Sequence, residues 1–273
     1  MIADLIYDIG AHRGDDTAFY VAKGFRVVAV EANPIMVAEL RSRFAAEIVS
    51  QKVTVEASGI AETVGELDFY AHDHDDWSSF ELNARFSKGN YKTFQVNTTT
   101  LERLVAGHGV PYYLKADIEG GERHIVNQLP LLESLPLYFS FEHNADTNSQ
   151  LEILRSLGYG RFKLIEQGSK PGQSEAPNPP REGKYTPFRF TSYMSGAFGK
   201  ELPGEWTDYV ALRAELDQIA ADRAKGMWIG WHDVHCQHET ATRPKSRAIA
   251  VPEDERGFFA EIARRLASLR KRS

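Results

Sequence analysis

The sequence predicts an α/β fold with a doubly wound, mostly parallel sheet. Short apolar segments of β character alternate with segments of helical character over most of the first 165 residues. Four apolar segments run directly into a carboxylate: Asp8, Glu31, Asp117 and Glu142. If these strands are parallel, the four acids share one edge of the sheet, and open α/β sheets bind their ligands at that edge. The pattern therefore predicts a ligand site at the carboxyl ends of the strands.

The first strand, helix and second strand all come before residue 32. The helix, residues 15–24, is expected to start at a cap formed by Asp15 or Asp16 and to end at Gly24. Glu31 follows the second strand, where a carboxylate can accept hydrogen bonds from both hydroxyls of a ribose. This unit predicts a cofactor that contains a nucleoside.

The spacing of the glycines in the first turn bears on the type of cofactor. A dinucleotide site has the pattern G-x-G-x-x-G, because its second glycine lets the backbone approach a pyrophosphate. Here His12 holds that position, and the glycines are Gly10 and Gly14. S-adenosylmethionine carries adenosine without phosphates, and its ammonium group and ribose hydroxyls suit carboxylates such as Asp8 and Glu31. The pattern favours this cofactor over two alternatives, an NAD-like cofactor and a nucleotide fold without a cofactor.

The later elements continue in α/β order, with one insertion. Residues 67–71 and 91–96 alternate like antiparallel strands and come before the strand that ends at Asp117. The predicted strands are residues 5–7, 25–30, 53–56, 67–71, 91–96, 111–116, 137–141 and 162–165, with a weak returning strand near 248–251. The predicted helices after the first are residues 36–46 and 150–157.

Two segments of the first unit resemble motifs of a known protein family. Residues 8–15, DIGAHRGD, are similar to the family pattern D-x-G-A-N-x-G-D, with His12 where Asn is usual. Residues 30–34, VEANP, resemble its E-P-x-P, with Ala32 replacing the first proline.

Two further segments define the resemblance. Residues 100–104, TLERL, resemble T-L-D-x-L, and residues 114–122, LKADIEGGE, resemble the more specific signature L-K-x-D-x-E-G-x-E. Together the four segments resemble the FkbM family of S-adenosylmethionine-dependent methyltransferases, over about residues 6–143. Residues 195–203 are also similar to a segment of some bacterial members.

The resemblance implies a Rossmann-like methyltransferase fold with a small β insertion and a C-terminal extension. The sequence pattern places the cofactor-binding core in residues 1–165, and in residues 166–273 a long loop (168–183), a returning strand and a C-terminal helix of the same domain. The resemblance favours a loop that covers the active site over one that is disordered. It also implies methyl transfer from S-adenosylmethionine to an oxygen of a small molecule, sugar or polyketide. The expected cofactor-binding residues are Asp8, Gly10, Ala11, His12, Gly14, Glu31, Ser58 and Asp117. Two alternatives remain: a binding protein that keeps this fold without catalysis, and an NAD-dependent oxidoreductase.

Methyl transfer to an alcohol requires removal of the hydroxyl proton, by a base or with the help of a metal ion. The candidates at the sheet edge are Asp117, Glu119, Glu142 and His143. His143 has a suitable intrinsic pKa, whereas Asp117 is expected to face the methionine end of the cofactor. These two residues, His143 and Asp117, are the predicted catalytic residues.

No metal ion is expected. Residues 72–76, HDHDD, are interpreted as a solvated hairpin tip, and residues 232–238, HDVHCQH, as satisfied or exposed histidines without the ligand pairs of a zinc site. The acids Asp117 and Glu142 are explained by the cofactor and by the strand ends, although they would be the first ligands to test.

Composition excludes several classes of protein. A net charge of −6 and a pI of about 5.9 argue against nucleic acid as the main partner. One cysteine, Cys236, excludes an internal disulfide and fits a cytoplasmic protein. Neither a signal peptide nor a transmembrane segment is expected. Residues 256–272 are predicted to form a basic amphipathic helix that docks on the domain or forms a homodimer contact.

Overall fold

The computed structural model describes residues 1–74, 77–82, 88–168, 179–192 and 194–239. The chain divides into two compact units, Met1–Arg243 and Pro244–Ser273, and all described residues belong to the first. The predicted returning strand near 248–251 and the predicted helix at 256–272 therefore lie outside the described residues. So do residues 169–178, which make up most of the predicted cover loop.

The described residues form ten strands and seven α-helices. The strands are β1 (Ile2–Ile9), β2 (Arg26–Glu31), β3 (Val53–Ala57), β4 (Gly59–Ile60), β5 (Gly65–His72), β6 (Tyr91–Thr99), β7 (Pro111–Ala116), β8 (Tyr138–Glu142), β9 (Tyr159–Glu166) and β10 (His232–His238). The helices are α1 (Asp15–Ala22), α2 (Pro34–Arg43), α3 (Ala45–Val49), α4 (Leu101–His108), α5 (Glu122–Val126), α6 (Thr147–Ser156) and α7 (Tyr209–Ala224).

The central sheet has the strand order β3-β2-β1-β7-β8-β10-β9. All its strands are parallel except β10, which runs antiparallel to both β8 and β9. Without β10, the order is the 3-2-1-4-5-6 of a doubly wound nucleotide-binding fold. The order reverses between β1 and β7, so this is the point where such folds bind their ligand. The fold is therefore the Rossmann-like methyltransferase type that the sequence predicted.

Alternation along the strands supplies a core on each face of the sheet. On β1, Tyr7 and Ile9 pack with α4, α5, α6 and α7, whereas Ile6 packs with α1 on the opposite face. Side chains cap the starts of some helices. The Asn33 side chain accepts a hydrogen bond from the N–H of Ile35 at α2, and the Thr100 hydroxyl accepts one from the N–H of Arg103 at α4.

The start of α1 differs from the prediction. Gly14, in the left-handed region with φ of +81°, is the N-cap residue, and no side chain caps the helix. Asp15 and Asp16 lie in the first turn instead. Asp16 is used elsewhere, because its carboxylate accepts hydrogen bonds from the backbone N–H groups of Ser195 and Gly196.

The predicted insertion is present as a second, three-stranded sheet in the order β4-β6-β5. Its β5 and β6 pair antiparallel, as predicted. The solvated tip predicted after β5 is wrong for His72, which is 5% exposed. The Nδ1 atom of His72 accepts a hydrogen bond from the N–H of His74 at 2.9 Å, and its ring packs against Trp77. Asp75 and Asp76 lie outside the described residues.

Residues 232–238 form a buried strand, so of the two predicted states of these histidines the exposed one is wrong. This strand, β10, pairs with β8 and β9, with Asp233 opposite Glu142. Its polar residues concealed it, since histidine, aspartate and glutamine do not produce the apolar pattern of a central strand. His238 is satisfied, because its Nε2 atom lies 2.8 Å from the carbonyl oxygen of Leu157. No helix of the described chain has both the length and the apolar character needed to cross a membrane.

Candidate functional site

A cleft of about 870 Å³ opens at the carboxyl edge of the sheet, beside the point where the strand order reverses. The turns that follow β1, β2, β3, β7 and β8 line one end, together with Phe69 on β5 and the aromatic residues Trp77 and Phe80 between β5 and β6. The other end is lined by residues after β9 and between α7 and β10. Of the predicted site residues, the lining includes Gly10, Ala11, His12, Glu31, Ser58, Asp117 and His143.

The first turn is held tightly against its neighbours. Gly10 has φ of +80°, and a Cβ atom there would lie 1.7 Å from the backbone carbonyl oxygen of Asp117. His12 also has a positive φ, of 50°, in the region that Asn and His enter more readily than most residues. The N–H groups of Gly10 and Ala11 donate to the carbonyl oxygen of Val30 at 3.0 and 3.1 Å. The amides of this turn therefore fix the turn to β2.

This arrangement disfavours a pyrophosphate. A dinucleotide would need backbone N–H groups and a helix N-terminus free to receive its phosphates. Here the amides of the turn are used internally, and the first turn of α1 carries Asp15 and Asp16, which both line the cleft. Asp15 pairs with Arg43 at 2.7 Å and Asp16 with Lys115 at 3.2 Å, and neither carboxylate offers a hydrogen-bond donor to an anion.

Glu31 presents its carboxylate to the cleft from the end of β2. It is 8% exposed, and its two oxygens accept the N–H groups of Asn33 at 2.7 Å and His12 at 2.8 Å. Burial raises the pKa of Glu31, while these two N–H groups act in the opposite direction. Each carboxylate oxygen can accept a further hydrogen bond, so Glu31 suits the two hydroxyls of a ribose.

Ser58 follows β3 and is a second nucleoside contact candidate. It is 8% exposed, lines the cleft, and its hydroxyl has no hydrogen-bond partner among the described residues. A buried polar atom usually has a partner, so this hydroxyl fits a ligand such as adenosine.

Asp8 lies behind the cleft, in a buried cluster of charges. One of its oxygens accepts a hydrogen bond from the Thr17 hydroxyl at 2.6 Å. The Lys115 amine lies 3.5 Å from Asp8, 3.2 Å from Asp16 and 3.4 Å from Asp117. Burial raises the pKa of Asp8 to about 6, although Lys115 lowers it. The buried lysine thus links the end of β1, the start of α1 and the end of β7.

Gly14 does not line the cleft either. A Cβ atom at this position would lie 2.4 Å from the Phe44 ring and 2.7 Å from Leu40. Its positive φ and its packing against α2 both require glycine. Direct cofactor contacts from Asp8 and Gly14 stay predictions from the sequence.

The loop after β7 is organised by Glu122, which is fully buried. One of its oxygens accepts the N–H groups of Ile118 at 3.0 Å and Gly120 at 3.3 Å, and the other accepts the Asn144 amide at 2.8 Å. Glu119, with φ of +54°, stands between these anchored positions and lines the cleft. The last glutamate of the family signature therefore supports the loop, while the preceding acids face the site.

Three acids meet in the cleft. Carboxylate oxygens of Asp117, Glu119 and Glu142 all lie within 4.8 Å of one another, a grouping that could hold a divalent cation. Burial raises the pKa of Glu142 to about 9, and the charges of Asp117 and Glu119 add to the effect. The absence of a metal requirement stays a prediction from the sequence.

His143 is beside these acids. Its Nδ1 atom lies 3.0 Å from the Thr147 hydroxyl oxygen, which also accepts the N–H of Asn144 at 2.9 Å. Burial, together with the charges of Arg223 and His232, lowers the pKa of His143 to about 4. The imidazole is therefore neutral at physiological pH and can accept a proton.

Sequence reasoning did not identify two residues at the far end of the cleft. These are Gln167 after β9 and Arg223 at the end of α7. Trp228, Trp231 and Asp233 also line this end, and they belong to the segment 228–233, whose aromatic residues are expected from the sequence to form either a packing anchor or a wall that stacks on a sugar. Trp228 is 87% exposed. Gln167 could have been identified from the sequence, because it follows a predicted strand as the predicted acids do. Placing the others at the cleft required knowledge that β10 enters the sheet beside β8.

The fold and the cleft define a Rossmann-like methyltransferase class of protein, with the cleft at the switch point of the sheet. The sequence profile of the methyltransferase FkbM domain matches residues 8–161. The chain therefore belongs to the FkbM methyltransferase family, as its motifs predicted, and this membership supports a methyltransferase function. No curated protein matches the chain.

Several solved structures are similar to this chain. The methyltransferase FkbM from Methylobacillus flagellatus KT is 17% identical over 66% of this chain, with a TM-score of 0.37, and the match spans 42% of that protein's length. A precorrin-6y C5,15-methyltransferase from Geobacter metallireducens is 11% identical, with 87% of this chain and 80% of that chain covered and a TM-score of 0.40. A putative rRNA methylase from Clostridium thermocellum is 10% identical, with 87% and 88% covered and a TM-score of 0.38.

Proposed function

We propose that this protein is an S-adenosylmethionine-dependent methyltransferase that acts on a hydroxyl oxygen of a small molecule or glycan. The observation that carries the proposal is the cofactor end of the cleft. There, the buried carboxylate of Glu31 and the hydroxyl of Ser58, which has no hydrogen-bond partner among the described residues, stand beside a helix start that carries two acids. These features suit an adenosine with a cationic substituent better than a dinucleotide.

The cofactor is bound by residues of three strand ends. Glu31 accepts hydrogen bonds from the ribose hydroxyls, Ser58 contacts the adenosine, and Asp117 faces the amino-acid end. When bound, S-adenosylmethionine supplies a methyl group that is already activated for transfer to a nucleophile. Asp8 acts through Lys115, which it helps to hold between the first turn and Asp117.

At the acceptor end, His143 receives the proton of the reacting hydroxyl. A pKa of about 4 makes this imidazole a weak base, but the hydroxyl proton becomes far more acidic as the oxygen forms its new bond to carbon. A weak, neutral base is therefore sufficient, and it is available across the physiological pH range. The protein otherwise orients the acceptor oxygen for in-line attack.

The proposal includes a small-molecule or glycan acceptor as the binding partner of the protein. It also includes a cytoplasmic location. The homodimer contact predicted for residues 256–272 lies outside the described residues. A non-catalytic binding protein is the alternative that an assay of turnover separates from the proposal.

The experiment is transfer of a labelled methyl group from S-adenosylmethionine to a polar metabolite extract. The wild-type protein is expected to label a product, and His143→Gln to lower the rate at least ~100-fold with unchanged cofactor affinity. His108→Gln is the control, because His108, in α4, pairs with Glu56 of β3 and does not line the cleft. Full activity of His143→Gln would remove His143 from the reaction. Cofactor binding without any labelled product would support the non-catalytic alternative.

A further inference from the structure

Gln167 is a buried amide at the far end of the cleft. It follows β9 directly, and its backbone N–H donates to the carbonyl oxygen of Trp231 at 3.0 Å. The residue is 4% exposed and lines the cleft. Neither the nitrogen nor the oxygen of its side chain has a hydrogen-bond partner among the described residues.

This state is unfavourable for the protein by itself. A buried amide that has left water without gaining partners destabilises the folded chain, and native proteins satisfy nearly all such groups. A methionine of similar volume would fill the same space without that penalty. The side chain of Gln167 therefore fits a role in which a ligand supplies its partners.

The sheet fixes the distance between Gln167 and the proposed base. The backbone N–H of His143 donates to the carbonyl oxygen of His232. The residue before His232, Trp231, accepts the backbone N–H of Gln167 with its own carbonyl oxygen. Because β10 lies between β8 and β9, two strand spacings, or about 10 Å, separate the two positions. A ligand that reacts beside His143 can reach Gln167 with a group several bonds away from its reacting oxygen.

The chemistry of an amide defines what that group must offer. The side chain presents N–H donors and a carbonyl acceptor next to each other. Its complement carries a donor and an acceptor side by side, as a pair of adjacent hydroxyls or another amide does. A purely apolar group would leave both amide atoms unsatisfied.

We propose that Gln167 is a specificity-determining residue that binds the methyl acceptor at a group remote from the reacting oxygen. Gln167 forms a paired donor-and-acceptor contact with that group. The inference rests on the proposed methyltransferase function, and it adds a polar group to the description of the acceptor. Acceptors without such a group are rejected, because they leave a buried amide unpaired.

The chain supplies a matched control in Gln150. This glutamine, in α6, is 2% exposed and also has no side-chain partner among the described residues, but it does not line the cleft. Removing either amide should affect the stability of the folded protein in the same direction. Only removal of the Gln167 amide should weaken binding of the acceptor.

The test compares Gln167→Met and Gln150→Met in the full chain. Both are expected to raise the melting temperature, by ~2–4 °C. With labelled S-adenosylmethionine and a dilution series of the polar extract, Gln167→Met should lower methyl transfer roughly 10- to 100-fold at limiting extract. Its cofactor affinity should stay that of the wild type, and Gln150→Met should transfer methyl groups at the wild-type rate.

Two results would overturn the inference. A lower melting temperature for Gln167→Met would mean that the amide already has partners in the folded protein. Equal methyl transfer by the two variants would mean that the acceptor does not bind to the Gln167 amide. If the wild-type protein transfers no label, the proposed function fails and this inference fails with it, a result distinct from a loss seen only in Gln167→Met.

Discussion

Individual carboxylates in the cleft have different tasks, which their surroundings determine. Glu31 is fixed by two backbone N–H groups and stays close to the cofactor end. Glu122 is buried away from the ligand and supports a loop. Glu142 stands among other acids with little compensating charge, so burial raises its pKa to about 9. The same residue type therefore anchors backbone N–H groups at Glu31, supports a loop at Glu122 and keeps a proton at Glu142.

The raised pKa of Glu142 has a measurable effect on stability. Because its folded pKa of about 9 exceeds the usual 4.5, the folded protein keeps a proton that the unfolded chain releases. The stability contributed by Glu142 is therefore complete below pH 4.5 and declines as the pH rises toward 9. Glu142→Gln should remove this decline and stabilise the protein by ~1–3 kcal/mol at pH 9, with little change at pH 4.5.

Urea unfolding at several pH values measures this difference. Glu66→Gln, on an exposed position of β5, is the control and should not change the pH dependence. A stability difference between Glu142→Gln and wild type that does not grow from pH 5 to pH 9 would show that the Glu142 carboxyl is not held protonated.

At the residue scale, the sequence predicted the acids at strand ends but not their surroundings. Glu31, Asp117 and Glu142 follow recognisable apolar segments, so their shared edge could be foreseen. The surroundings of Lys115 and Gln167 could not be predicted, because they depend on which strands become neighbours in the sheet. Asp8 shows the same limit, since only the position of Lys115 explains why it lies behind the cleft.

At the scale of elements, the close approach of β1 and β7 creates the site. Gly10 permits this approach, because its missing Cβ leaves room for the Asp117 carbonyl group. Gly10→Ala would place a methyl group against that carbonyl and force an unfavourable positive φ on alanine. We expect a loss of about 3 kcal/mol or more in unfolding free energy, together with loss of cofactor binding.

Gly107→Ala is the comparison for this variant. Gly107 lies in α4, and a Cβ there would contact nothing within 4 Å, so alanine should stabilise the protein by about 0.5–1 kcal/mol. Denaturant unfolding of both variants gives the two values. Wild-type stability of Gly10→Ala would mean that β1 and β7 can separate without cost, contrary to the geometry described above.

Elements with apolar patterns were predicted well, and polar elements were not. The strand β7 has the predicted bounds, and most other ends shift by a few residues. The elements α4, α5, α7 and β4 were not predicted. Neither was β10, whose three histidines conceal a strand that is buried because it lies between β8 and β9. Its antiparallel direction also brings the segment before it, with Trp231, to the cleft.

At the scale of the whole molecule, the order of the strands determines where the ligand binds. The switch point between β1 and β7 concentrates the strand-end acids around one cleft, and β10 with the residues before it lines the end of that cleft where we propose that the acceptor binds. The fold class followed from the alternation of elements, because alternating β and α segments have few other solutions. The far end of the cleft did not follow from the fold class, since this end is formed by polar segments that are distant from one another in the chain.

The central claim is that this cleft binds S-adenosylmethionine through Glu31 and does not bind a dinucleotide. Titration calorimetry of the purified protein with S-adenosylmethionine and with NAD⁺ tests it most directly. The account predicts roughly micromolar affinity for the first, none for the second, and ~30- to 150-fold weaker S-adenosylmethionine binding by Glu31→Gln. Asp4→Asn, at the opposite end of β1 and paired with Arg26, should bind as the wild type does. Binding of NAD⁺, or wild-type affinity in a folded Glu31→Gln variant, would contradict it.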